Sequence, residues 1–198
     1  WQCFLRYDGD YAVEPMYYPV SMDANVADTF WQTLVNQYKQ QRRWGYGVEN
    51  VPYFLFGFFK NKKIDFWKKV KFGFVIIEGF HSWATNALII FMLGWLPLYL
   101  GGEVFNATQL SYNLPLVTKY IMTLSMIGVV TSALLSVLIL PPRPPEYGRW
   151  KYALIVLQWP LMFLTIVIFG SLPGLDAQTR LMIGKYMGFW VTPKARKG

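Results

Sequence analysis

The sequence predicts a mainly α-helical membrane protein, in which a short β-hairpin and one interfacial helix precede several membrane spans. Of the 198 residues, 54% are hydrophobic and only 15% are charged, which is too apolar for an ordinary soluble domain. Long apolar runs follow residue 72, and each is about long enough to cross a bilayer. The 19 Lys and Arg outnumber the 11 Asp and Glu, as expected of loops that face anionic lipid or a phosphate-bearing substrate. We therefore expect membrane lipids as partners and no nucleic acid.

The cysteine content excludes two classes of protein. Cys3 is the single cysteine, so an internal disulfide cannot form, and the sequence holds no Cys-x-x-Cys or Cys/His cluster typical of zinc proteins.

The chain opens on WQCFLRY, without an initiator Met or a signal-type apolar run. We interpret it as the C-terminal portion of a longer protein.

Residues 1–20 are predicted to form the hairpin, because two aromatic-rich runs flank Asp8, Gly9 and Asp10. Asp-Gly suits the positive φ values of a tight hairpin turn. The same triplet also resembles the Asp-x-Asp with which many sugar-nucleotide enzymes hold a divalent cation, but the hairpin pattern favours the turn.

A helix is predicted over residues 27–46, with Asp28 as N-cap and Gly45 and Gly47 at its end. Its apolar side is formed by Trp31, Leu34, Val35 and Tyr38, and its polar side by Thr33, Asn36, Gln37, Gln40, Arg43 and Trp44. A tryptophan among Gln and Arg is a flat stacking surface beside hydrogen-bond donors, which suits a sugar ring and a phosphate. The alternative is an interfacial anchor helix, which composition alone favours.

The first membrane span is predicted at about residues 73–100. It follows six lysines within residues 60–71, a pattern typical of a cytoplasmic juxtamembrane segment. Glu78 and His81 lie at the entrance of this span, one helical turn apart. They are either a functional intramembrane pair or a structural pair that reaches to the interface.

The second span is predicted at about residues 116–140, where small residues favour close helix contact. The loop at 101–113 contains no Lys or Arg and is expected on the far side of the membrane, whereas the Pro-rich basic loop at 141–149 is expected in the cytoplasm.

The third apolar segment, at residues 151–171, is interrupted by Pro160 and leaves the topology open. Three full crossings from a cytoplasmic start would place residues 172–198 outside, but the basic residues of this tail favour the cytoplasm. The tail carries Arg180, Lys185, Lys194, Arg196 and Lys197. Either residues 151–171 are re-entrant, or the charge rule fails this far from the span.

Two short motifs resemble those of one enzyme family. Gln40-Gln41-Arg42-Arg43-Trp44 matches the Q-x-x-R-W signature of membrane-embedded family 2 glycosyltransferases, the group of cellulose, chitin and hyaluronan synthases. Phe189-Trp190-Val191-Thr192-Pro193-Lys194 resembles the F-x-V-T-x-K gating loop of bacterial cellulose synthases. The order of the two motifs, with membrane spans between them, is also similar.

The resemblance implies a binding role for five residues. Trp44 would stack on the acceptor sugar near the mouth of a membrane pore, and Gln40 and Arg43 would lie close to the diphosphate of a nucleotide-sugar donor. Thr192 and Lys194 would approach the same phosphates from a loop that closes over the donor. That role needs a cytoplasmic tail and favours a re-entrant third segment.

The resemblance also implies how the chain is organised. Residues 1–59 would be the C-terminal end of a cytoplasmic GT-A type catalytic domain, residues 60–171 the membrane region, and residues 172–198 the amphipathic tail. The metal-binding Asp-x-Asp and the general base of the family lie upstream of the helix. No catalytic residue and no metal ligand is therefore assigned within this chain, which is expected to be inactive alone, and Mg²⁺ or Mn²⁺ would be held mainly by the upstream domain.

The function implied is inverting transfer of a sugar from a nucleotide-sugar to a glycan or lipid-linked acceptor, at the cytoplasmic side of a bacterial plasma membrane. The family often continues into further spans, whereas this chain stops four residues after Lys194. Processive synthesis and single additions both stay open. The alternative from another class is a non-enzymatic integral membrane protein, a scaffold or small transporter, whose Trp and Arg helix is only an anchor.

Overall fold

A computed structural model describes residues 1–18, 20, 24–139, 148, 150–188 and 190–193, with Phe91 and Tyr152 described by their backbone alone. These residues are mainly helical, as predicted, and none of them lies in a β-strand. The helices are α1 (Gln2–Arg6), α2 (Phe30–Gly45), a 3₁₀ turn (Tyr46–Glu49), α3 (Asn50–Lys60), α4 (Phe66–Leu100), α5 (Gly102–Asn106), α6 (Gln109–Ile139), α7 (Trp150–Ile166), a π-helical turn (Val167–Ser171) and α8 (Leu172–Met182).

The predicted β-hairpin is wrong, and with it the only strands expected of a GT-A type end. The Asp-Gly turn does form, since φ is 54° at Asp8 and 82° at Gly9. It ends α1 instead of joining two strands: the Gly9 amide donates to the Phe4 carbonyl at 2.8 Å, a bond that closes the end of a helix. Packing decides between the two structures, because α1 buries Phe4 against Phe54 and Phe58 of α3.

The chain forms two compact units. The first consists of Trp1–Thr85 and Ile168–Gly198, and the second of Asn86–Val167. The buried core of the first unit is aromatic: Phe54 and Phe58 lie with ring centroids 4.1 Å apart, and Ile64 and Ile76 complete the cluster. Burying each such side chain stabilises the fold by roughly 1.5–3 kcal/mol. These contacts therefore stabilise α3, a helix that was not predicted from the sequence.

Helix α2 starts later than predicted. Thr29 is the N-cap, not Asp28, because Thr29 has extended backbone angles and its hydroxyl oxygen accepts a hydrogen bond from the Gln32 amide at 3.2 Å. The helix ends at Gly45, as predicted, and the chain continues at once into the 3₁₀ turn and α3.

Three helical stretches within the described residues are long and apolar enough to cross a membrane: Phe66–Ile90, Gln109–Ile139 and Ala153–Met182. The third stretch passes through Pro160 without leaving helical conformation. The prediction that Pro160 interrupts this segment is therefore wrong for the backbone. A long helix can tolerate the loss of the one hydrogen bond that proline cannot donate. Whether this stretch spans or re-enters stays a prediction.

Candidate functional site

Helix α2 carries most of the predicted site residues, and three other parts of the first unit pack on it. These are α8, residues 24–28 and residues 190–193. The most buried side chain of α2 is polar, since Asn36 is 1% exposed, whereas Trp31 on the predicted apolar side is 75% exposed. The chain's own segments thus cover much of the polar side of α2.

Arg43 joins the two motifs found in the sequence. Its Nη1 donates a hydrogen bond of 2.9 Å to the carbonyl oxygen of Trp190, across 147 residues of sequence. One turn earlier, the ammonium of Lys39 lies 5.7 Å from the centroid of a Trp190 ring, within the range of a cation–π contact. Two cations of α2 therefore hold the segment that contains Val191 and Thr192.

The hydroxyl oxygen of Thr192 is buried, and none of the described residues hydrogen-bonds to it. A buried hydroxyl without a partner typically costs about 1–3 kcal/mol. Such an atom suits a ligand or water that would satisfy it. Lys194, the second residue predicted to approach the phosphates from this loop, lies outside the described residues, as does Phe189.

Gln40 is bonded to the segment that precedes α2. The Asn25 side-chain amide donates to the Oε1 atoms of Gln40 and Gln37, each at 3.3 Å. The side-chain Oδ1 of Asn25 and the side-chain Nδ2 of Asn36 are buried without hydrogen-bond partners among the described residues. One buried acceptor and one buried donor at the polar side of α2 are therefore available to hydrogen-bond with a ligand or water.

Trp44 lies at the open part of this polar side. Trp44 is 50% exposed, so about half of its surface is accessible to another molecule. The position is compatible with the predicted stacking on a sugar ring, and the role itself stays a prediction.

A charged cluster that was not predicted from the sequence fixes α8 on α2. Asp176 accepts hydrogen bonds from Arg42 Nη1 at 2.8 Å and from Arg180 Nε at 2.6 Å, and the Tyr38 hydroxyl lies 3.4 Å from the same carboxylate. The Arg42 and Asp176 side chains are 24% and 25% exposed. Burial, and then the negative charge of Asp176, raise the pKa of Tyr38. The i,i+4 spacing of Asp176 and Arg180 was a readable signal, but nothing local indicated Arg42.

Small residues bring three helices together beside this cluster. A Cβ placed on Gly45 would lie 3.2 Å from the Gly174 Cα and 3.4 Å from the Ala177 Cβ. A Cβ on Gly174 would in turn lie 3.3 Å from the Cα of Ala84 in α4. Gly45, interpreted from sequence as a helix end, is therefore also a close-packing position.

Glu78 and His81 each bond within their own helix. The Ser82 hydroxyl donates to the Glu78 carboxylate, and the Thr85 hydroxyl donates to the His81 carbonyl at 2.7 Å. Among the described residues, no ion pair joins Glu78 to His81. This arrangement favours the structural interpretation of the pair.

The described residues include no group of three or more His, Cys, Asp or Glu that could hold a metal ion. Asp8 of the Asp-x-Asp triplet accepts from Asn61 Nδ2 at 2.7 Å and from Lys63 Nζ at 3.2 Å, and these hydrogen bonds lower its pKa. The described residues thus offer no site for Mg²⁺ or Mn²⁺, and the expectation that an upstream domain mainly holds the ion stays a prediction.

The comparisons with known proteins add no relative. No protein-family model, no curated protein and no solved structure matches the chain. A functional interpretation therefore depends on the two motifs and on the contact that joins them.

Proposed function

We propose that this chain contributes the acceptor side and membrane region of a glycosyltransferase that moves a sugar from a nucleotide-sugar donor to a glycan or lipid-linked acceptor. The observation that carries the proposal is the hydrogen bond from Arg43 to the Trp190 carbonyl. It joins a Q-x-x-R-W helix to the F-x-V-T-x-K-like segment, the two motifs by which the sequence resembles this class of enzyme.

The chemistry proposed is an inverting displacement. An acceptor hydroxyl attacks the anomeric carbon of the donor, the bond from that carbon to the phosphate oxygen breaks, and the nucleoside diphosphate leaves with the bonding electrons. The hydroxyl proton passes to a general base that is not assigned within these 198 residues. Arg43 offsets the charge that develops on the leaving diphosphate.

Thr192 supports a phosphate site beside Arg43. A phosphate oxygen would accept the hydrogen bond that the buried Thr192 hydroxyl does not make to any described residue. In the proposed cycle, donor binding replaces the Trp190 carbonyl with a phosphate as an acceptor of Arg43, so the tail segment rearranges when the donor arrives. A charged acceptor is the stronger one, because charge-assisted hydrogen bonds are about twice as strong as neutral ones.

One observation favours the anchor alternative. Phe30 and Trp31 at the start of α2 are 69% and 75% exposed, which is typical of side chains that enter a membrane interface. Both roles are compatible within one helix, because Trp31 and Trp44 lie thirteen residues apart, at opposite ends of α2.

The deciding experiment compares these two tryptophans. In the full-length protein, Trp44→Ala should reduce sugar transfer from a labelled nucleotide-sugar by 100-fold or more, on the order of the loss of a positioning contact, while membrane insertion stays normal. Trp31→Ala is the matched control: it should lower the yield of membrane-extracted protein and leave transfer per molecule unchanged. Normal transfer by Trp44→Ala would refute the acceptor-stacking role of Trp44, and the absence of any transfer by the unaltered full-length protein would refute the enzyme.

A further inference from the structure

The second unit contains a large cavity between its own helical segments. It has a volume of about 1020 Å³ and is lined by residues of α4, α6 and α7. This is the upper end of the range in which proteins bind small molecules. Helices α4 and α6 approach closely at the lining residue Thr118, since a Cβ on Gly94 would lie 2.7 Å from its hydroxyl oxygen.

The α6 residues that line the cavity run from Tyr112 to Met126, and Lys119 lies midway between them. The lining residues that follow Lys119 on α6 include the apolar Met122 and Met126, and Trp95 and Tyr112 add hydrogen-bond donors to the lining. The hydroxyls of Thr123 and Ser125 also line the cavity, but they donate to the Lys119 and Ile121 carbonyls of their own helix, at 2.8 and 2.9 Å. Because these two hydroxyls already have acceptors, they add little polarity to the walls beside Met122 and Met126.

Lys119 is the one charged side chain among the lining residues, and it is exposed. None of the described ion pairs includes it. The cavity therefore combines one cation with mainly apolar walls, and its charge is complementary to an anion attached to a hydrocarbon.

The position of Lys119 along α6 agrees with the depth of a lipid headgroup. Residues 120–139 follow it and contain no charged side chain. At about 1.5 Å per residue these twenty residues span ~30 Å, the thickness of the hydrocarbon core. Lys119 then stands at the edge of that core, at the level where Trp and Tyr side chains such as Trp95 and Tyr112 commonly lie.

We propose that this cavity binds an anionic phospholipid of the surrounding bilayer. The lipid phosphate contacts the Lys119 ammonium, Trp95 and Tyr112 lie beside the headgroup, and the acyl chains fill the space along Met122 and Met126. The proposal is independent of sugar transfer, because it depends on the second unit alone.

The test measures lipid binding to the full chain. The protein is delipidated in a mild detergent, and native mass spectrometry quantifies the first bound molecule of phosphatidylglycerol or of phosphatidylcholine with the same acyl chains. We expect the anionic lipid to bind about five-fold more tightly, the typical effect of one lysine at a membrane surface. Lys119→Gln should abolish this preference, and Lys119→Arg should keep it, since either cation attracts a phosphate.

Two further variants separate the cavity from general electrostatics. Lys151→Gln removes a charge from the second unit outside the cavity lining and should leave the preference unchanged. Ala87→Phe places a ring into the cavity and should weaken the binding of both lipids equally. Equal binding of the two lipids by the unaltered chain, or equal effects of Lys119→Gln and Lys151→Gln, would overturn the proposal. A dimer without bound lipid would also overturn it, since a second copy would then cover the cavity.

Discussion

Two sides of α2 are held by different kinds of contact. On the side of α8, Arg42 pairs with the Asp176 carboxylate at 2.8 Å, and the backbone at Gly45 lies close against Gly174. On the side of the tail, Arg43 donates to a neutral carbonyl at 2.9 Å, that of Trp190. The difference teaches that adjacent arginines can have unlike acceptors: Arg42 bonds a carboxylate and fixes two helices together, whereas Arg43 bonds a neutral carbonyl, which is a weaker acceptor than a charged group.

The largest expected effect is the loss of sugar transfer on replacing Arg43 by lysine in the full-length protein, with the same change at Arg42 as the matched control. Arg43→Lys should reduce sugar transfer by about 100-fold to 1000-fold, because an ammonium does not reproduce the planar guanidinium on a diphosphate. Arg42→Lys should keep transfer within about three-fold, since a lysine can still pair with Asp176. Initial rates with a labelled nucleotide-sugar measure both. Equal losses in the two variants would remove the distinction between the arginines.

The next effect concerns the packing between α2 and α8. Gly45→Leu should destabilise the fold by about 1–3 kcal/mol, because the added carbons meet the Gly174 backbone, which cannot rotate away. For a chain of this length, each kcal/mol lowers the melting temperature by roughly 2–4 °C in detergent. Gly79→Leu is the matched control, since a Cβ on Gly79 meets no atom within 4 Å. An unchanged melting temperature for Gly45→Leu would contradict the close contact.

A smaller effect should separate the ion pair from the carbonyl bond. Asp176→Asn leaves two partly buried guanidinium groups without a counter-charge and should cost about 1–2 kcal/mol of unfolding free energy. Arg43→Gln removes a hydrogen bond to a neutral carbonyl and should cost less than about 1 kcal/mol. Thermal unfolding in detergent ranks the two, with the exposed Asp10→Asn as control. The reverse order would show that the tail contact is the stronger one.

The smallest effect is on the pH dependence of stability. The pKa of Tyr38 is raised above 10.0, first by burial and then by the Asp176 charge, so the unfolded chain loses this proton before the folded chain does. The contribution of protonated Tyr38 to the free energy of unfolding is fully present below pH 10, and it is lost as the pH rises through the raised pKa. Tyr38→Phe should therefore unfold with a weaker pH dependence above pH 10. Identical profiles for both proteins would argue against the contact with Asp176.

The local parts of this structure were predictable from sequence. Periodicity located α2, and the apolar runs located the stretches that became α4, α6 and α7. The prediction of a turn at Asp8 and Gly9 was also correct, because Gly, and to a lesser extent Asp, adopts positive φ more readily than other residues do. The prediction that this turn joins two strands was wrong, because a short aromatic run is compatible with a strand or a helix. The contact of Phe4 with α3 favours the helix.

The non-local parts were not predictable. Arg42 and Asp176 are 134 residues apart, and no pattern in either segment names the other. The resemblance implied only that Arg43 and the tail would approach the same phosphates, not that they touch. The roles of Gln40, Arg43, Trp44, Thr192 and Lys194 in sugar transfer stay predictions. The lipid cavity depends on three helical segments at once, so its lining could not be read from one of them.

The partner of Arg43 in the tail is a main-chain carbonyl, and every amino acid at position 190 supplies one. No substitution there deletes the acceptor, so the contact imposes no choice of side chain and leaves no compensating pair of changes. Methods that infer proximity from correlated substitutions would detect the pair of Arg42 and Asp176, whose charges can be exchanged together, and would not detect this one. What such a contact does constrain is chain length: one residue inserted or deleted between α8 and Trp190 would shift the carbonyl away while every side chain of the motif stayed present.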